Sequence, residues 1–187
     1  MNAAQIALYG ATVKADIAAN ADLNSQPLTA DGADAIARLY NAPSSPALLL
    51  WDRASSVAAI EGAINRAAYT PNDVPDGTLM YANRCDVVQI KQANLLAMLS
   101  GRASYDASKL GARASLRDAV IQLPAGTAGV MVSAGGASGV TVLTACTRTA
   151  TRLEKLLALA SAPLGNVVAS DAGFEGTVAY ADIQVMR

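Results

Sequence analysis

Between about residue 138 and residue 160 an apolar or small side chain returns every three or four positions: Val140, Leu143, Cys146, Ala150, Leu153, Leu157 and Ala160. That period matches the α-helical turn, so the stripe predicts one long amphipathic helix, the last of the chain. After it the pattern breaks. Residues 161–187 carry Pro163, Gly165, Gly173 and Gly176, and proline and glycine are the strongest local interrupters of regular structure. Within this tail Phe174, Thr177-Val178 and Tyr180 suggest a short strand or hairpin, and Ile183, Val185 and Met186 keep the end apolar. The domain reading is a helical body over residues 1–161 and an extended C-terminal arm over 162–187.

The upstream segments add helices. Ile6, Tyr9, Val13 and Ile17 share one face of a helix over residues 3–20. Thr29 or Asp31 can cap a second helix that runs to Asn41 and buries Ile36, Leu39 and Tyr40. Pro43-Ser44-Ser45-Pro46 stops it, because proline lacks an N–H and restricts the residue before it. Ser55 or Ser56 precedes a short helix holding Val57, Ile60 and Ile64, and Thr70 to Gly77 is a loop.

Residues 79–100 form the most apolar helix. Val87, Val88, Leu95, Met98 and Leu99 cluster on one side, and Ile90 and Leu96 widen it, so it reads as the central helix of a bundle. Lys91 falls in that sector, either as a stem with its amine in water or as a charge paired at an interface. Gly101 suits a C-cap. Leu110, Ala114 and Ile121 align on a helix over 109–123, and residues 125–139 are rich in Gly, Ala and Ser, with Val130-Met131-Val132 a brief strand or a buried loop. The fold class expected is mainly α: an antiparallel helical bundle with an extended C-terminal arm containing a short strand or hairpin.

Alanine makes up roughly a fifth of the 187 residues, and the chain has one Trp and one Phe. Alanine favours helix, but an alanine-rich core buries little area per helix. Neighbouring subunits are therefore expected to supply part of the stability.

The chain contains no histidine, which excludes Ser-His-Asp and Cys-His catalysis and histidine metal sites. No phosphate-cradling Gly-x-x-x-x-Gly-Lys-[Ser/Thr] element occurs, and Gly135-Gly136-Ala137-Ser138-Gly139 reads as a flexible loop. The carboxylates are scattered in no catalytic frame; Asp73 and Asp76 in their loop lack a spaced set of cation ligands. Cys85 and Cys146 read as buried free thiols. The expectation is no enzyme, no cofactor and no metal. A net charge of −1 disfavours a tight grip on nucleic acid. Runs such as Ala47-Leu48-Leu49-Leu50-Trp51 are too short to span a membrane, and the first 25 residues lack a signal-like block, so no membrane partner is expected and the chain should be cytoplasmic before assembly.

Interface chemistry is what is left. Arg148, Arg152 and Lys155 lie at steps of four and three on the last helix, either as a solvated face pairing with Glu154 or as a contact for an acidic neighbour. Arg113 and Arg117 lie four apart on the preceding helix, so four arginines can form one patch if the helices are neighbours. The arm offers Phe174, Val178, Tyr180 and Ile183 to a partner, or folds back as a hairpin on its own bundle.

Four stretches also carry a resemblance. They are Ala35-Ile36-Ala37-Arg38-Leu39-Tyr40-Asn41-Ala42-Pro43-Ser44-Ser45-Pro46-Ala47 followed by Trp51; Lys109-Leu110-Gly111-Ala112-Arg113-Ala114-Ser115-Leu116-Arg117-Asp118-Ala119; Thr147-Arg148-Thr149-Ala150-Thr151-Arg152-Leu153-Glu154-Lys155; and Phe174-Glu175-Gly176-Thr177. In this order the chain resembles small virion proteins of tailed bacteriophages, the head-to-tail connectors or adaptors. The resemblance implies a virion protein whose copies form a homo-oligomeric ring of about twelve beneath the portal protein. It also implies a tail or stopper protein as neighbour, DNA passing non-specifically through the channel, and the arm docking on the portal. Tail-completion or head-decoration proteins are alternatives within the virion; a small regulatory or host-interaction module is the alternative outside it.

Overall fold

The computed structural model describes residues 1–64, 66–69, 81–120, 142–164 and 167–187. Over these the chain is mainly helical. The helices are α1 (Ala3–Ala19), α2 (Ala21–Asn24), α3 (Ala30–Asn41), α4 (Val57–Gly62), α5 (Tyr81–Leu99), α6 (Leu110–Val120), α7 (Arg152–Leu156) and α8 (Tyr180–Met186). Short strands β1 (Leu49–Trp51), β2 (Ser55–Ser56), β3 (Ser104–Tyr105) and β4 (Thr147–Thr149) form two-stranded ladders, β1 with β4 and β2 with β3. Among the described residues no helix is long and apolar enough to cross a membrane.

The chain divides into two compact units whose segments alternate along the sequence; one switch falls between Ser161 and Ala162, and residues 162–187 are shared between the units. The first holds Met1–Leu50, Thr149–Ser161 and Ser170–Arg187; the second holds Trp51–Arg148 and Ala162–Ala169.

In the first unit, α1 begins at a capping box. Gln5 N–H donates to Asn2 Oδ1 at 2.9 Å and Asn2 N–H to Gln5 Oε1 at 2.8 Å, filling donors that a helix start leaves open. α3 starts at Thr29, whose hydroxyl accepts from Gly32 N–H, and stops where Ala42 turns extended before Pro43. α7 has its own box of Thr151 and Glu154. Around these the core gathers Val13, Ile17, Leu23, Ile36, Tyr40, Leu153, Phe174, Val178, Ile183 and Met186.

That core overturns the C-terminal arm. α8 packs on α3 and α1, and Phe174, Val178, Ile183 and Met186 are buried. Burying an aliphatic or aromatic side chain contributes about 1.5–3 kcal/mol, which an arm held in solvent forgoes. No strand forms over 171–179, and 180–186 is helix. The backbone of Val178 pairs with a side chain instead of a strand. Asn41 Nδ2 donates to Val178 O at 2.8 Å, and Val178 N–H donates to Asn41 Oδ1 at 3.0 Å.

The long last helix is also corrected. Thr144–Cys146 is a single 3-10 turn, 147–149 is strand β4, and helix resumes only at Arg152. Thr147 and Thr149 are β-branched and favour strand, and Thr151 caps a new helix start. In the first unit Ala150 N–H donates to Leu48 O at 2.8 Å and Ser44 N–H to Ala150 O at 2.9 Å.

In the second unit β2 and β3 run antiparallel, with Ser55 opposite Tyr105 and Ser56 opposite Ser104. Ser56 caps α4. α5 packs against α6 and buries Val88, Leu95 and Leu99, and Gly101 follows at φ +72°, the left-handed conformation expected of a C-cap. Ile90 and Leu96 point outward, so the buried face of α5 is narrower than expected. Lys91 Nζ lies 3.5 Å from Asp118 Oδ1 and also donates to the Asp118 carbonyl, so its charge is paired within the chain. The expectations for the 70–77 loop, Asp73 and Asp76, residues 79–80, 121–123, 125–139 and 138–141, and the Cys85 side chain lie outside the described residues.

Candidate partner interface

The arginines part ways. Arg113 is 1% exposed. Its guanidinium lies over the Trp51 ring at 5.0 Å and donates to the carbonyls of Ser108 at 2.7 Å and Ala107 at 3.3 Å. It is a core residue of the second unit, and the four-arginine patch is therefore not formed. Arg117 is half-buried on α6, and Arg148 lies 3.7 Å from Asp52. The spacing of Arg113 and Arg117 carried no sign of this burial; only Trp51, distant in sequence, supplies the ring that accepts the cation.

In the first unit Arg152 pairs with Asp22 and lies 5.8 Å from the centre of the Tyr40 ring. The guanidinium hydrogen bond holds the Asp22 carboxyl below the usual carboxylate range and raises Arg152 further. Tyr40 is fully buried and donates to Asp16 Oδ2 at 2.9 Å; burial first, then the Asp16 carboxylate, push its phenol far up. Lys155 Nζ donates to Pro46 O at 2.7 Å. Glu154 is buried and accepts from Thr151 N–H and Gly176 N–H. Of the C-terminal candidates only Tyr180 is exposed; Phe174, Val178 and Ile183 are core.

Two further features were not read from the sequence. One is a cleft of about 740 Å³ in the first unit, where the ends of α3 and α7 meet the α1–α2 junction. The other is the outer face of α1. Opposite buried Val13 and Ile17, α1 exposes Ala4, Leu8, Ala11, Ala15 and Ala18, spaced by four and three residues, with Leu8 69% exposed. The residues were in view, but the sequence reading followed only the stripe with the larger side chains.

Cys146 is fully buried and free, as expected. Burial pushes its thiol up to about 11, against a hydrogen bond with Ser55 that lowers it. Such a thiol is a poor nucleophile at neutral pH. Among the described residues no group of His, Cys, Asp or Glu side chains is placed to hold a metal ion.

No family model, curated protein or solved structure matches this chain. The geometry and the motifs therefore carry the functional argument alone.

Proposed function

We propose that this chain is a structural subunit of a tailed-bacteriophage virion, a head-to-tail connector or adaptor. Its copies close into a ring beneath the portal protein and above a tail or stopper protein, with DNA passing through. The ordered motif resemblance supports the class. The outer face of α1 is the structural observation that carries a protein-fitting role: a helix apolar on both sides belongs between two packed surfaces. Small residues at that spacing let a neighbouring backbone approach closely, and each contact is multiplied around a closed ring. The low net charge fits a channel that lets DNA slide.

With the C-terminus built into the core, portal docking falls to the folded surface and not to a free arm. The test is sedimentation of the chain alone and with a portal protein. The wild-type chain should form a closed oligomer, and Leu8→Glu with Ala11→Glu should stay folded and monomeric. A wild-type chain that stays monomeric with portal present would overturn the reading.

A further inference from the structure

We infer that the cleft at the end of α3 is a docking site for a polypeptide segment carrying one basic and one acidic side chain. The inference deepens the connector reading by naming the chemistry a neighbour presents, and rests on that reading only for the source of the segment. The argument is one of unfilled charge complementarity. Four charged side chains line the cleft: Asp16, Asp22, Arg152 and Lys155. Arg152 forms an ion pair with Asp22, and its charge also acts on Asp16 from beyond ion-pair distance. Among the described residues the Asp16 carboxylate accepts from neutral donors, Asn20 Nδ2 at 2.7 Å and Tyr40 Oη at 2.9 Å. Among the described residues Lys155 donates to the Pro46 carbonyl and to no carboxylate. Among the described residues, then, the cleft holds one carboxylate and one ammonium with no counter-charge at ion-pair distance.

Both groups are pre-oriented. The buried Tyr40 phenol holds Asp16, and Lys155 is anchored by its carbonyl contact. Orientation before binding lowers the entropy lost on association. Leu39, Pro43 and Leu156 supply apolar wall between the charged ends. The cleft volume lies in the range of about 300–1,000 Å³ typical of sites that enclose ligands of drug size, which fits a short peptide stretch. A purely acidic or purely basic segment meets repulsion at one end.

The test is isothermal titration calorimetry of the full chain with blocked peptides Lys-(Ala)n-Glu of graded length, beside all-Lys and all-Glu controls. One mixed-charge length should bind best. Lys155→Met and Asp16→Asn should each weaken it by about tenfold or more, as loss of a charge-assisted contact does. Lys14→Met, on α1 outside the cleft, should leave it unchanged. Thermal melts of the variants confirm that they fold. No heat at millimolar peptide, or equal loss in Lys14→Met, overturns the inference. Peptide binding without ring formation supports the cleft and sinks the connector reading; ring formation without peptide binding sinks the cleft alone.

Discussion

The carboxamide of Asn41, the last residue of α3, makes both hydrogen bonds that a neighbouring strand would make to Val178. One side chain thereby satisfies the backbone that leads into α8. Asn41→Leu removes donor and acceptor together and strands the N–H and C=O of a buried residue. An unsatisfied buried group costs about 1–3 kcal/mol. Urea denaturation should show a loss of this size; a change below about 0.5 kcal/mol, the usual limit for surface substitutions, would refute the pairing.

Ile183 is fully buried where α8 meets the first unit's core. Ile183→Ala should cost about 2–5 kcal/mol, and deleting residues 170–187 should remove cooperative unfolding of that unit. A free arm predicts neither, so retained stability in the truncated chain would restore the arm.

Gly32 stands where a Cβ would fall 2.0 Å from the Pro27 carbonyl oxygen. Gly32→Ala should destabilise by about 1–3 kcal/mol, the usual cost of overpacking. Gly111, on exposed α6 surface, has open space at its Cβ position, and Gly111→Ala should stabilise by about 0.4–1 kcal/mol. Thermal melting of the pair checks both signs; the same sign for both would contradict the packing at Pro27.

The Cys146 thiol predicts alkaline sensitivity. Its value rises from 9.0 to about 11 on folding, with burial the leading cause. Between those values the unfolded chain has lost the proton and the folded chain keeps it, so stability falls as pH rises from 9 to 11. Cys146→Ala should flatten that slope in denaturation at graded pH. In a Cys85→Ser background, Cys146 should resist a thiol reagent at pH 8 until urea is added; prompt labelling of the native protein would contradict its burial.

Local signals were the legible ones. Thr29 and Ser56 cap the helices they precede, Pro43 ends α3, and Gly101 takes positive φ after α5. Each depends on atoms within one helical turn. The described part of the 138–160 stripe, from Val142 on, misled because apolar periodicity is also produced by a turn, a β-branched strand and a new helix placed in succession. Arg113 misled because its spacing is that of a surface pair, while its burial comes from Trp51.

From the chain alone came the helical class, the caps and breaks, and the absence of histidine chemistry, since these follow from residue type and near-neighbour sterics. Tertiary structure decided that residues 170–187 return to the first unit, that Asn41 stands in for a strand, and that Asp16 and Lys155 share a cleft. Those outcomes turn on which distant surfaces bury each other, and burial is a property of pairs far apart in sequence that no local pattern encodes.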